Sequence, residues 1–180
     1  MPNPTPVNSE LIGQPGSRWE ILTPALILDL DVLDANIATM AAWAREGGFT
    51  LRPHGKSHKS PDIAKRQVAA GAVGLCCASL REAQVMAANG IPGLLITTPL
   101  APGKAPLVAA LVKDGADVSV VADHEDLVAA YGAAAEAAGI PASKIGETGG
   151  DFLTFAGESA AIEDLAAIFE AWLPDYMGAA

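Results

Sequence analysis

Between residues 73 and 139 the chain repeats one pattern: a short apolar run, a helix-forming run, then a glycine. VGLCCAS leads into LREAQVMAANG, closed by Gly90; LLITTPL into GKAPLVAALVKDG, closed by Gly115; DVSVVAD into HEDLVAAYGAAAEAAG, closed by Gly139. Strands separated by a helix of this length pair side by side in parallel, through right-handed crossovers. The runs are almost wholly apolar, as strands buried on both faces are. Few aromatic residues, 5%, with abundant Ala and Gly likewise suit helices packed on a parallel sheet better than an all-β sandwich.

The same pattern extends upstream. PALILDLD reads as a strand, and DVLDANIATMAAWAREGG places Leu33, Ile37, Met40 and Trp43 at helical spacing before stopping at Gly47 and Gly48. FTLRPHGK reads as a further strand ending in a Pro/Gly corner. In SPDIAKRQVAAGA, Ser60 is placed to cap a helix, Pro61 to fill its first position and Gly71 to end it. Residues 49–139 therefore hold about four β/α units, and the fold class is α/β with a parallel sheet.

Both flanks depart from the pattern. Residues 1–23 carry Pro2, Pro4, Pro6 and Pro15 with little apolar periodicity and read as a mobile arm. Residues 141–180 form a divergent acidic tail: a short FLTF strand candidate between Gly/Ser/Thr clusters, then an amphipathic helix (Ile162, Leu165, Phe169) expected to stop at Pro174. GETGG, at 146–150, is a weak phosphate-loop match because no strand precedes it.

A net charge of −10 and a pI near 4.6 disfavour nucleic acid or an anionic membrane as partner. No apolar run is long enough to span a bilayer, and no targeting signal is read at the start. Cys76 and Cys77 are adjacent, which suits neither a disulfide framework nor a zinc site; they read as small buried strand residues in a reducing, cytoplasmic setting.

Against this acidic background, RPHGKSHK gathers Arg52, His54, Lys56, His58 and Lys59 at the C-terminal end of a strand, the end where parallel sheets bind ligands. Strand alternation puts Arg52, His54 and Lys56 on one face. A lysine crowded by cations and partly desolvated has its ammonium form disfavoured, freeing an amine to form a Schiff base with an aldehyde cofactor. On the residues alone a solvated loop, or an anion clamp at the start of the Ser60 helix, is the favoured reading. His124, beside Asp123, could line a ligand or simply cap a helix.

The segments TPALILDLDVLDANIATMAAWA, LRPHGKSHKSPDIAKRQVAAGAVGLCCAS, REAQVMAANGI and LLITTPL resemble, in order and spacing, the N-terminal half of the D-threonine aldolase and D-serine dehydratase family. These are enzymes with an alanine racemase-like fold that use pyridoxal phosphate. The resemblance covers roughly residues 20–140. It implies a partial (β/α)8 barrel over residues 24–140, with Lys56 holding pyridoxal phosphate, His54 and Arg52 beside the cofactor, and the PALILDL segment belonging to a second, β-rich domain. It further implies a lyase that cleaves a D-3-hydroxy amino acid to glycine and an aldehyde, and a homodimer. A D-serine dehydratase or deaminase, or an amino-acid racemase on the same scaffold, is the alternative, as is a non-catalytic fragment that associates through open sheet edges. The family's divalent metal has no matching ligand motif here. A full barrel takes about 250 residues against 180 in this chain, so a truncated barrel is expected.

Overall fold

The computed structural model describes residues 8–143, 149–155 and 158–178. Among the described residues six α-helices and five strands follow one another: α1 (Leu30–Glu46), α2 (Pro61–Ala69), β1 (Leu75–Cys77), α3 (Leu80–Ala88), β2 (Leu94–Ile96), α4 (Ala105–Lys113), β3 (Val118–Val120), α5 (Glu125–Ala138), β4 (Phe152–Phe155), β5 (Glu158–Ala161) and α6 (Ile162–Gly178). β1, β2 and β3 pair in that order, both junctions parallel, with Leu75, Leu94 and Val118 in one row and Cys77, Ile96 and Val120 in another. The alternating apolar and helical runs thus become adjacent βαβ units, as their spacing requires.

Local chemistry sets the helix boundaries. Asp29 accepts the Asp31 and Val32 N–H groups at 3.1 Å to start α1, and Ser60 accepts from Ile63, with Pro61 at the first position of α2. Gly139 ends α5 at φ +71°, a left-handed conformation that glycine adopts without penalty. The entry to the sheet is tighter still. A Cβ on Gly74 would stand 2.0 Å from the Gly93 carbonyl oxygen, so β1 and β2 start with their backbones in direct contact.

The core lies on one side of the sheet. Leu75, Cys77, Leu94 and Ile96 are buried in a single cluster with Ala64 from α2, Leu80, Ala83 and Met86 from α3, and Val108 from α4. Cys76, Leu95 and Ser119 alternate to the opposite face, where Ser119 is exposed. The expectation that the strands are buried on both faces therefore holds on one face only, because the helices around the described sheet form a single covering layer.

Three segments differ from their sequence reading. Residues 25–29 are extended but have no sheet partner among the described residues, and Leu26, Ile27 and Leu28 are exposed. The FTLRPHGK segment makes one parallel bridge, His54 to Cys76, instead of a full strand, since Pro53 has no N–H to give to a ladder. Helix α6 runs through Pro174 to Gly178. The tail forms its own small unit, with β4 antiparallel to β5 and α6 following directly. Of GETGG, only Gly149 and Gly150 lie within the described residues. No helix among the described residues is long and apolar enough to cross a membrane.

Candidate functional site

The cationic string sits at the C-terminal end of the parallel sheet. Leu51 and Pro53 offer their carbonyls to Val73 and Cys76 N–H at 2.8 and 2.7 Å, which ties the string to β1. Beyond His54 the backbone leaves the sheet in a 3₁₀ turn, Gly55–Ser57, and Lys56 is its central residue. Gly55 is buried against the core: a Cβ there would meet Leu75 Cδ2 at 2.6 Å, so only glycine lets the turn lie this close to β1.

His54 caps the turn. Its Nδ1 accepts the Lys56 backbone N–H at 3.3 Å, while Nε2 lies 3.2 Å from Thr97 Oγ1, at the end of β2. The Thr97 hydroxyl in turn reaches the Cys77 carbonyl at 3.2 Å. The half-buried imidazole is therefore held from both sides, by the turn it caps and by the neighbouring strand.

The two lysines of the string are treated differently. Lys59, at φ +52° in the left-handed region, forms an ion pair with Glu82. Glu82 also accepts the N–H of Ala78, the residue before the Ser79 N-cap, at 2.8 Å, and its own N–H donates to Ser79 Oγ at 3.2 Å, so the start of α3 fixes the carboxylate. The Lys59 ammonium, then burial working in the opposite sense, then the Ala78 N–H set the balance that holds the Glu82 carboxyl below the usual carboxylate range. Lys56 is exposed and has no ion-pair partner among the described residues. The expectation of a crowded, partly desolvated Lys56 is thus corrected: nothing described stands over the rim of the open sheet, and Glu82 takes up the neighbouring cation.

Arg52 precedes the turn, two residues before His54. It lines a groove with Leu33, Ile37 and Met40 of α1 and Gln67 of α2. The alternation that would align Arg52, His54 and Lys56 ends where the 3₁₀ turn begins. His58 accepts the Ser60 N–H through Nδ1 at 3.0 Å, and its Nε2 is buried without a partner; burial holds this imidazole below its ordinary pKa. His124 caps α5 by accepting the Asp126 N–H at 3.2 Å, the structural role of the two weighed for it.

Burial, together with the charges of Glu82 and Cys76, pushes the Cys77 thiol up to about 11, and Cys76 Sγ donates to the Arg52 carbonyl at 3.3 Å. Neither cysteine is placed as a nucleophile. Among the described residues no cluster of three His, Cys, Asp or Glu side chains could hold a metal ion. Sequence reasoning missed two residues of the site, Glu82 and Thr97. The Ser79-x-x-Glu82 spacing is a legible capping-box signal, whereas Thr97 is marked only as the first polar residue after an apolar strand.

Comparison with known proteins follows the same stretch. The family model described as alanine racemase, N-terminal domain, matches residues 28–144. A 3-hydroxy-D-aspartate aldolase of Paracoccus denitrificans is 44% identical over 119 residues, covering 65% of this chain and 31% of the relative. The crystal structure of D-threonine aldolase from Filomicrobium marinum superposes with a TM-score of 0.64 at 43% identity, over 67% of this chain and 33% of that one. The chain thus spans about a third of the length of these relatives. A further similarity, 63% identity over 49 residues, is to the phosphoribosylformylglycinamidine synthase subunit PurL of Methylocella silvestris, covering 27% of this chain and 7% of that protein.

Proposed function

The chain belongs to the alanine racemase N-terminal domain family, and from that premise we propose that it carries the cofactor-attachment part of a pyridoxal phosphate-dependent lyase acting on D-3-hydroxy amino acids. The family is pyridoxal phosphate-dependent, and its relatives named above act on D-amino acids. One observation carries the reading to this chain: of the two lysines in the string, Lys59 is occupied by Glu82, while Lys56 stands exposed on a turn anchored to the sheet rim. An unpaired, accessible amine on a fixed backbone fits a group that attaches through an aldehyde.

Lys56 supplies that amine. His54 holds the turn that presents it, and Gly55 allows the turn to pack on Leu75. Glu82 pairs with the second ammonium. When bound, pyridoxal phosphate supplies an electron sink for charge developing at the α-carbon of the amino acid. Arg52, on the groove between α1 and α2, is not needed by this reading. The tail is a separate piece in the same proposal, supported by the composition change near residue 141 and by the β4–β5–α6 unit.

The test is reductive trapping. The chain is incubated with pyridoxal phosphate, reduced with borohydride and mapped by peptide mass spectrometry. Label concentrated on Lys56, lost in Lys56→Ala and retained in Lys59→Ala, is expected. Label spread over surface lysines, or absent, overturns the attachment and leaves the non-catalytic reading. Products from a D-3-hydroxy amino acid then separate the chemistries: glycine with an aldehyde for the lyase, ammonia with a keto acid for the dehydratase.

A further inference from the structure

The three histidines share a local arrangement and differ in their other partners. Each accepts a backbone N–H two residues ahead through Nδ1: His54 from Lys56, His58 from Ser60, His124 from Asp126. A backbone amide can only donate, so an Nδ1 that accepts one carries no proton and the neutral ring places its proton on Nε2; at His124, Nδ1 also lies 3.4 Å from Asp126 Oδ2, an acceptor that favours a proton on Nδ1. At Nε2, His54 has a hydroxyl partner, whereas the His58 ring faces the Gln67 side chain. His54 Nε2 lies 3.2 Å from Thr97 Oγ1. His58 Nε2 is buried and unpaired, and His124 is two-thirds exposed.

The chain of bonds through Thr97 has a single possible direction. Nε2–H donates to Oγ1, and the hydroxyl proton donates onward to the Cys77 carbonyl at 3.2 Å. We infer that Thr97 is a positioning residue: it holds His54 in the Nε2–H tautomer, which keeps Nδ1 free to accept the N–H of Lys56 and so fixes the turn that presents the amine. The consequence for chemistry rests on Lys56 being the attachment residue; the tautomer assignment does not. Thr97 belongs to β2's end and lies 43 residues from His54 in sequence, so the arrangement exists only when β1 and β2 are paired.

Thr97→Val is a clean perturbation. Valine keeps the shape, and the Cys77 carbonyl still accepts the Thr97 backbone N–H at 2.9 Å, so no carbonyl is orphaned. Long-range ¹H–¹⁵N correlation spectra of the ¹⁵N-labelled chain, at about pH 8 to keep the imidazoles neutral, report each ring's tautomer. In the wild type, His54 is expected as Nε2–H. In Thr97→Val its ratio of Nε2–H to Nδ1–H is expected to fall about fivefold, the weight of one net hydrogen bond, with Thr97→Ser restoring it and with His58 and His124 unmoved. An Nδ1–H His54 in the wild type, an unchanged ratio in Thr97→Val, or equal shifts at all three rings would overturn the inference. The rate of borohydride-trapped labelling at Lys56 gives the second reading, slower in the valine variant and recovered in the serine variant. A wild type that traps no cofactor refutes the attachment role while the tautomer result stands by itself.

Discussion

Replacing Glu82 separates two interactions that one carboxylate makes at once. It accepts the partly buried Ala78 N–H at 2.8 Å, and it pairs with Lys59, whose side chain is 67% exposed. Leaving a buried N–H without its acceptor costs about 1–3 kcal/mol; a pair with one partner this exposed adds about 0.5 kcal/mol or less. Glu82→Ala loses both, about 2 kcal/mol, which for a chain of this size lowers Tm by roughly 4–8 °C. Glu82→Gln keeps an oxygen for Ala78 and gives up only the charge, so it loses about 0.5 kcal/mol or less, at most about 1–2 °C. The pH dependence has a definite sign. Because Lys59 holds the folded-state pKa of Glu82 below its ordinary 4.5, the charge contribution is complete above that value and disappears as pH falls through the lowered pKa. Thermal melts of the wild type and both variants, followed by circular dichroism at neutral pH and again in acid, test this. Equal melting of the alanine and glutamine variants, or a wild-type advantage over glutamine that persists unchanged in strong acid, would refute the reasoning.

Gly74→Ala drives a Cβ to 2.0 Å from the Gly93 carbonyl oxygen, backbone against backbone, and should destabilise by about 1–3 kcal/mol. Gly103→Ala, with nothing within 4 Å, should leave the melt within about 0.5 kcal/mol of wild type. Cys77, with its thiol pushed up to about 11 and fully buried, should resist Ellman's reagent in the native protein, so that at most one thiol reacts before denaturant is added. Burial lowers the His58 pKa, so its NMR titration midpoint should fall below 6.5, and its contribution should lower stability as pH drops beneath that value.

Local sequence and structure agree where neighbouring residues suffice to decide the conformation. Ser60 and Pro61 start α2, Ser79 starts α3 and Gly139 ends α5, each through contacts within a few residues. Agreement fails where a distant partner decides. PALILDL has the apolar composition of a strand, yet an extended segment becomes a strand only when another backbone receives its hydrogen bonds. FTLRPHGK meets such a partner in β1, and Pro53 limits the pairing to one bridge. The site divides in the same way. RPHGKSHK marks itself by its charge, whereas the allocation of Lys59 to Glu82 and of His54 to Thr97 depends on groups 23 and 43 residues away.

The sequence by itself determined the α/β alternation, the helix caps and the position of a reactive-looking lysine string at the end of a strand, because periodicity and capping act over a single turn or strand. Only the tertiary structure decided which lysine stands free, which nitrogen of His54 holds the proton and which face of the sheet is covered. Those outcomes depend on the register between β1 and β2 and on the placement of α3, and the backbone sets both through contacts that no local stretch of residues contains.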